Sequence, residues 1–399
     1  MKRTETVDFN KRYQIPNPVS LARYEANPAL GPKVLFFSGG SALHGFSKLL
    51  IKYTHNSTHL ITPFDSGGSS AEIRREFKML AVGDIRHRLM ALADPGLKGN
   101  PDVFKLFAIR LDSSLSQEEL IGQLKAMIEG RDPAIRKIGD PLRKIIRNHL
   151  NFFYKKMPAT FSLKGASIGN LVLTGGYLNN RRQIDPVIYL FSRLIEARGI
   201  VRPITTQDLQ LLAEFEDGET VLGQHLITGK ESTPIHKKIS SLCLARSSGE
   251  RAPKPKIKKK VARLIAGAEL ICYPIGSFFS SLTANFLVQG VGDQVVANRC
   301  PKVYIPNLGE DPEQYGYSLV DKIDQLIVML RDSSNTPGAD DDYLNFILLD
   351  SESSQTLRSK EIEALAQRGI RVINADLVDP DNLEYIEPKR LINALLSLV

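Results

Sequence analysis

Short apolar runs alternate with amphipathic stretches along most of the chain. KVLFF (33–37) reads as a strand, LHGFSKLLIKY (43–53) has helical periodicity, and HLITPF (59–64) reads as a second strand. Residues 69–80 and 84–93 are predicted helices. Residues 101–160 form a charged helical insert with apolar residues at three- and four-residue spacing, such as Leu120, Leu124 and Ile128. Further strands are predicted at GIVRPIT (199–205), TVLGQHLI (220–227), ELICYPI (269–275), KVYIPN (302–307), NFILLD (345–350) and IRVIN (370–374). The cores of the later ones, ELICY, KVYI and FILL, are apolar throughout, which suits burial on both faces of a mainly parallel sheet flanked by helices. The stretch EDGETVLGQHLI alternates instead and turns at Asp217-Gly218, as an antiparallel hairpin would. The pattern predicts an α/β, Rossmann-like fold. Residues 1–30 are an N-terminal extension, and 31–399 form one domain that includes the last 60 or so residues.

Composition changes this picture little: 42% hydrophobic and 24% charged residues are ordinary globular values. No apolar run reaches membrane-spanning length, and the charged start MKRTETVDFNKR lacks the apolar block of a secretory signal. Cys243, Cys272 and Cys300 are odd in number and far apart, so neither a disulfide framework nor a metal pair is expected, and the cytoplasm is the expected compartment. Of the net charge of +8, most resides in RAPKPKIKKK (251–260), six basic residues without an acid. One proline-punctuated segment is not the spread basic face with interleaved aromatics of a nucleic-acid binder. It reads as an exposed loop or helix lead-in, with a basic flap over a charged anion as the sharper alternative.

Five segments carry candidate chemistry. In VLFFSGGSALHG (34–45) a strand ends at Gly39-Gly40, and Ser41 is expected to open a helix. Unpaired N–H groups and the helix dipole there make an anion cradle, and a structural turn is the alternative. In TPFDSGGSSAEIRRE (62–76), Asp65 falls at the carboxyl end of the second strand, the edge where open α/β sheets bind ligands. It could hold a ribose hydroxyl or a magnesium ion, or cap the turn. Gly67-Gly68 allows unusual backbone angles, Ser69 to Glu72 matches a capping box, and Arg74 either contacts a ligand phosphate or faces solvent. In VGDIRHRLMALAD (82–94), Asp84 is the expected cap, Ile85, Leu89 and Leu92 face the core, Arg86 could reach an anion or pair with Asp65, and His87 is expected at the surface. In KGASIGNLVLTGG (164–176), Asn170 caps a helix or offers its amide to a ligand. In YPIGSFFSSLTANFLV (273–288), Gly276-Ser277 repeats the strand–glycine–helix device, Phe279 offers a ring for stacking or core packing, and Asn285 follows.

Taken together, these segments resemble the superfamily of 2-phospho-L-lactate transferase (CofD-like) and the gluconeogenesis factors (YvcK-like), from about residue 33 to 325. FDSGGSSAEIR and VGDIRHRLMAL resemble the branch patterns ADDGGSS-xxLR and PGDIRxxLxAL. SIGNL, VRPITTQDLQLLAEFEDGETVLGQHLI, PIGSFFSSLTANFLV and VYIPN follow in the order of that branch. The resemblance implies a site at the strand ends, with donor phosphates near the glycine loop and a magnesium-associated aspartate at Asp65. It carries the asparagine of the Gly-Asn pair onto Asn170, and the later glycine, serine and asparagine onto Gly276, Ser277 and Asn285. Dimers are common among look-alikes, which leaves a homodimer as an expectation. Four features depart from the pattern. Ser66 stands where the branch has a second acid, Phe279 replaces a tyrosine, the first loop is SGGSALHG instead of GGGTG, and the 251–260 segment is additional.

Two functions follow from the resemblance. One is a transferase that moves a phosphorus-containing group from a nucleotide-diphosphate donor to a hydroxyl, with Asp65 and Asn170 as catalytic candidates. The other is a non-catalytic regulator that binds a nucleotide sugar or dinucleotide. A dehydrogenase is a third reading, because Asp65 lies 25 residues after Gly40, but GxGxxG and a proton donor are missing.

Overall fold

A computed structural model describes residues 13–399 apart from 95, 97, 98, 230–235 and 353–356. The short apolar runs become β1 (Val34–Ser38), β2 (Thr58–Ile61), β3 (Ile200–Pro203), β7 (Leu270–Tyr273), β8 (Lys302–Tyr304), β9 (Phe346–Asp350) and β10 (Arg371–Ala375). They pair in the order β10-β9-β8-β7-β1-β2-β3, every neighbour parallel. β1 and β2 are buried at every position, as strands covered on both faces must be. The chain steps outward from β1 to β3 on one side, returns to β7 on the other, and steps outward again to β10. The reversal between β1 and β7 is the point where a doubly wound sheet opens a crevice at its carboxyl edge.

Between β3 and β7 lies a second sheet of three antiparallel strands in the order β5-β4-β6. Its members are β4 (Gln210–Phe215), β5 (Thr220–Leu222) and β6 (Ile239–Ala245). The turn at Asp217-Gly218 joins β4 to β5 as the pattern implies, but the expected strand 220–227 is cut short. Gly223, at φ +109°, ends it, and Gln224–Ile227 turns as a short helix. A small pair, β11 (Val378–Asp379) and β12 (Asn382–Ile386), follows β10.

Helices cover both sheet faces. His44–Leu50 and Pro388–Leu396 pack on one face, in a core with Val34, Phe36 and Leu270. The Pro18–Ala26 helix joins them through Leu21, its N-terminus fixed by the Asn17 side chain, which accepts from the Ser20 amide. Lys259–Ala266 and Leu319–Asp332 pack on the other face. The helical stretch after β2 packs into a core that also takes in Ile61 of β2 and Val201 of β3. Leu120 and Leu124 of Gln117–Glu129 meet Ile146, Leu150 and Phe153 of Leu142–Lys156, each such side chain adding about 1.5–3 kcal/mol on burial. The basic 251–260 segment is pinned along the surface. Arg251 pairs with Glu214, Lys254 donates to the Asp332 carbonyl, and Lys260 pairs with Asp185.

Candidate functional site

The turn after β1 is shaped from beneath by a buried cation. Arg88, on the Gly83–Ala91 helix, is fully buried and donates to the carbonyls of Gly39 (3.0 Å), Leu43 (2.9 Å) and Gly40 (3.4 Å), and to the Ser47 hydroxyl. A trans peptide points its N–H away from its carbonyl, so the amides of Gly40 and Ser41 turn away from Arg88. Burial pulls Arg88 down to about 10, opposed by the charge of Asp84, so it stays protonated at neutral pH. Position 40 has to be glycine for want of space, since a Cβ there would lie 2.0 Å from Asp84 Oδ1. Above the turn is a cavity of about 430 Å³, closed on the far side by Gly276, Ser277 and Asp311.

In the matching turn after β7, four amides are already taken. Gly276 N–H donates to Asn307 Oδ1 (2.8 Å) and Phe278 N–H to Asp311 Oδ2 (2.9 Å). The amides of Phe279 and Ser280 both donate to Glu313 Oε2, at 2.7 and 2.8 Å. Burial, then the charge of Asp311, pushes the Glu313 carboxyl up to about 7, while the hydrogen bonds from Ser280 and Phe279 oppose that rise.

A second cavity, of about 270 Å³, adjoins the first, and Ser41, Asp84 and Gln224 line both. Asp65, Ser69, Arg86, His87, Arg110 and Asn170 line the second. Asp65 Oδ1 accepts from the Gly67 amide (3.1 Å). Asn170 is buried; its Nδ2 donates to Ser69 Oγ (3.1 Å), and its Oδ1 has no partner. Arg86 is 5% exposed, donates to His87 Nε2 (2.7 Å) and weakly to the Phe107 carbonyl (3.3 Å), and leaves its Nε without a partner. Because a guanidinium can only donate, His87 Nε2 accepts, which fixes the neutral Nδ1–H tautomer. Burial, then the charges of Arg86 and Arg110, hold His87 down to about 4. Burial, then Arg110, lowers Arg86 to about 10. Among the described residues no three of His, Cys, Asp and Glu converge on a metal position. Two carboxylates with serine hydroxyls are nevertheless the donor set of a magnesium ion that completes its shell with ligand phosphates and water.

The sheet edge thus brings together Gly39, Gly40, Ser41, Asp65, Gly67, Gly68, Ser69, Arg86, Asn170, Gly276 and Ser277. It does not bring Arg74, Phe279 or Asn285. Arg74 points inward and donates to the carbonyls of Phe64 (3.0 Å), Asp65 (3.1 Å) and Leu209 (2.6 Å), with Asp208 as ion partner (3.0 Å); it ties the end of β2 to the second sheet. Phe279 is wholly buried edge-on to Phe278 and Tyr317, and Asn285 is buried with its Nδ2 on the carbonyls of Ser281 and Leu282. Local expectations also shift. The helix after Asp65 starts at Gly68, one residue before Ser69, so no capping box forms, and Glu72 instead pairs with Arg75 and accepts from the Ser162 amide. Ser41 stays in the turn, and its helix begins at His44. Asp84 sits inside its helix, whose cap position is Val82, and lines both cavities. His87 is half-buried at the second cavity instead of at the surface. Arg110, Gln224 and His225 were missed. Gln224 and His225 read as part of a strand, and Ser66 now holds His225 Nδ1 at 2.7 Å. Gly223 was the available signal that the strand stops there.

Comparison with known proteins agrees with this fold. Residues 34–384 match the family described as 2-phospho-L-lactate transferase CofD. A putative gluconeogenesis factor of Thermoanaerobacterium thermosulfurigenes is 26% identical over 379 residues, covering 92% of this chain and 97% of its own. The gluconeogenesis factor of Bacillus subtilis is 27% identical over 296 residues, covering 74% of each chain. A solved structure of a UPF0052-family protein from Bacillus halodurans superposes with a TM-score of 0.63 at 21% identity, covering 92% of this chain and 99% of that one, and shares the fold. The two-cavity site at the β1/β7 reversal is therefore carried by a chain that belongs to the CofD family.

Proposed function

We propose that the protein is a transferase of a phosphorus-containing group, using a nucleotide-diphosphate-linked donor. The observation that carries this reading is the shared wall of the two cavities: Ser41 and Asp84 border both. A donor whose phosphates rest on the Gly40 and Ser41 amides places its outer phosphorus next to whatever occupies the second cavity. The acceptor's hydroxyl oxygen then bonds to phosphorus, the bond from phosphorus to the nucleotide's phosphate oxygen breaks, and the nucleoside monophosphate leaves. The hydroxyl proton passes to Asp65. Asp65 and Asp84 are the residues that would hold magnesium, which when bound neutralises charge on the phosphates. A transfer of this kind depends mainly on positioning and electrostatics.

A second reading, a non-catalytic sensor of a nucleotide sugar or dinucleotide, is favoured by the relatives' names and by Ser66 in place of a second acid. Calorimetric titration with ADP, GDP and UDP, with and without magnesium, separates the two when followed by product analysis with nucleotide-diphosphate donors. The transferase reading expects magnesium-dependent binding, weakened by Asp65→Ala, and release of nucleoside monophosphate. Binding indifferent to magnesium and to Asp65→Ala, without product, would leave the sensor.

A further inference from the structure

A third cavity, of about 490 Å³, lies between the Ile184–Leu194 and Lys259–Ala266 helices beside β3. It shares no lining residue with the two at the carboxyl edge of the sheet. Ile188, Val201 and Leu264 give it apolar walls, and Tyr189 and Ile200 stand in it 66% and 41% exposed. Apolar side chains gathered in an open groove are the mark of a surface that meets a partner. Arg193, Arg202, Lys260 and Arg263 line the same groove, and among the described residues no carboxylate does. Two acids answer these cations from outside it. Asp185 takes both Arg202 (2.5 Å) and Lys260 (3.3 Å), and Glu196 lies 4.0 Å from Arg193. Arg263 is exposed and has no ion partner among the described residues, so two positive charges are left over. Lys258 and Lys259, both exposed, carry that charge on into the basic segment.

The surplus charge and the concave shape select the occupant. A second copy meeting the groove face to face would set like charges against each other. A bilayer surface is flat and does not fill a hollow. A ridge of apolar side chains flanked by carboxylates matches both shape and charge. We infer that this groove docks an acidic amphipathic helix of a partner protein. Its apolar residues, at three- and four-residue spacing, seat among Tyr189, Ile200 and Leu264, and its carboxylates reach Arg193 and Arg263. No residue of the two-cavity site takes part, so the inference is independent of the proposed function.

The probe is a fluorescein-labelled peptide of about sixteen residues, with leucines at helical spacing and glutamates between them. It is titrated with the full chain at physiological salt and read by fluorescence anisotropy. The same peptide with lysine for every glutamate is the control. The glutamate peptide binds and the lysine peptide does not. Arg263→Glu weakens binding about tenfold or more, and Tyr189→Ala about fivefold. Lys155→Glu, the same charge change at an exposed position on the helical insert, leaves it within about twofold, because salt screens charges beyond about 8 Å. All three side chains are exposed, so the fold is not at stake. The inference is overturned if the glutamate peptide fails to bind, if the lysine peptide binds as well, or if Lys155→Glu weakens binding as much as Arg263→Glu. Sedimentation with phosphatidylglycerol vesicles that Tyr189→Ala abolishes, or self-association that Arg263→Glu abolishes, would give the groove to another occupant and overturn it too.

Discussion

After β1 the chain reads SGGS, and after β7 it reads PIGS; each lies between an apolar strand and a helical stretch. In sequence the two turns offer the same cradle for an anion. In the fold they differ in what stands behind them. Arg88 draws the carbonyls of the first turn inward and leaves its amides to face elsewhere. Asn307, Asp311 and Glu313 take the amides of the second. The first turn holds its amides away from its buried cation, and the second already has its carboxylates. A glycine-rich strand end is thus half of an anion site, and the long-range partner of its peptide groups supplies the other half.

The comparison can be broken first at position 40. Gly40→Ala forces a methyl against Asp84 Oδ1, and with the cradle displaced, nucleoside diphosphate affinity should fall at least about a hundredfold by calorimetry. Unchanged affinity would mean that the first turn is not the phosphate site. At the second turn the sharper probe is pH. Folding raises Glu313 from 4.5 to about 7, so the folded chain holds this proton where the unfolded chain has lost it. The stability it contributes is complete below the unfolded value and fades as pH climbs through the folded one. Between about pH 5 and about pH 8 the wild-type melting temperature should therefore drop more than that of Glu313→Gln. Parallel profiles would show that the buried acid is not coupled to folding. The smallest effect is expected at Phe279→Leu, a core change costing about 1–1.5 kcal/mol by chemical denaturation with nucleotide affinity unchanged. A large loss of affinity there would restore the ring as a stacking surface.

Much of the sheet was readable because strands covered on both faces leave continuous apolar runs: each of its seven strands overlaps an expected run from KVLFF to IRVIN, although β2 and β8 stop three residues before the expected end. β6 escaped because ISSLCLA has only a broken alternation, and its identity as a strand comes from pairing with β4. The glycines and Asp65 were legible because turn chemistry is local. Arg74 and Arg86 show where that locality ends. Both are arginines on the helices that follow such turns, yet Arg74 finds the carbonyls of Phe64 and Leu209, and Arg86 finds a histidine and the Phe107 carbonyl, with its Nε left over. Which cation is consumed by the fold depends on elements more than a hundred residues away, and no periodicity encodes that.

The last strand on one side of the large sheet has a consequence for association. Ile200 and Ile204 turn their amides toward β2, which leaves positions 201 and 203 facing outward. Position 203 is proline, so the outer rim of β3 offers Val201 alone as an amide donor. A neighbouring molecule that tried to lengthen the ribbon there would find no ladder to climb, and growth into fibres from this flank is stopped by one ring closure in the backbone.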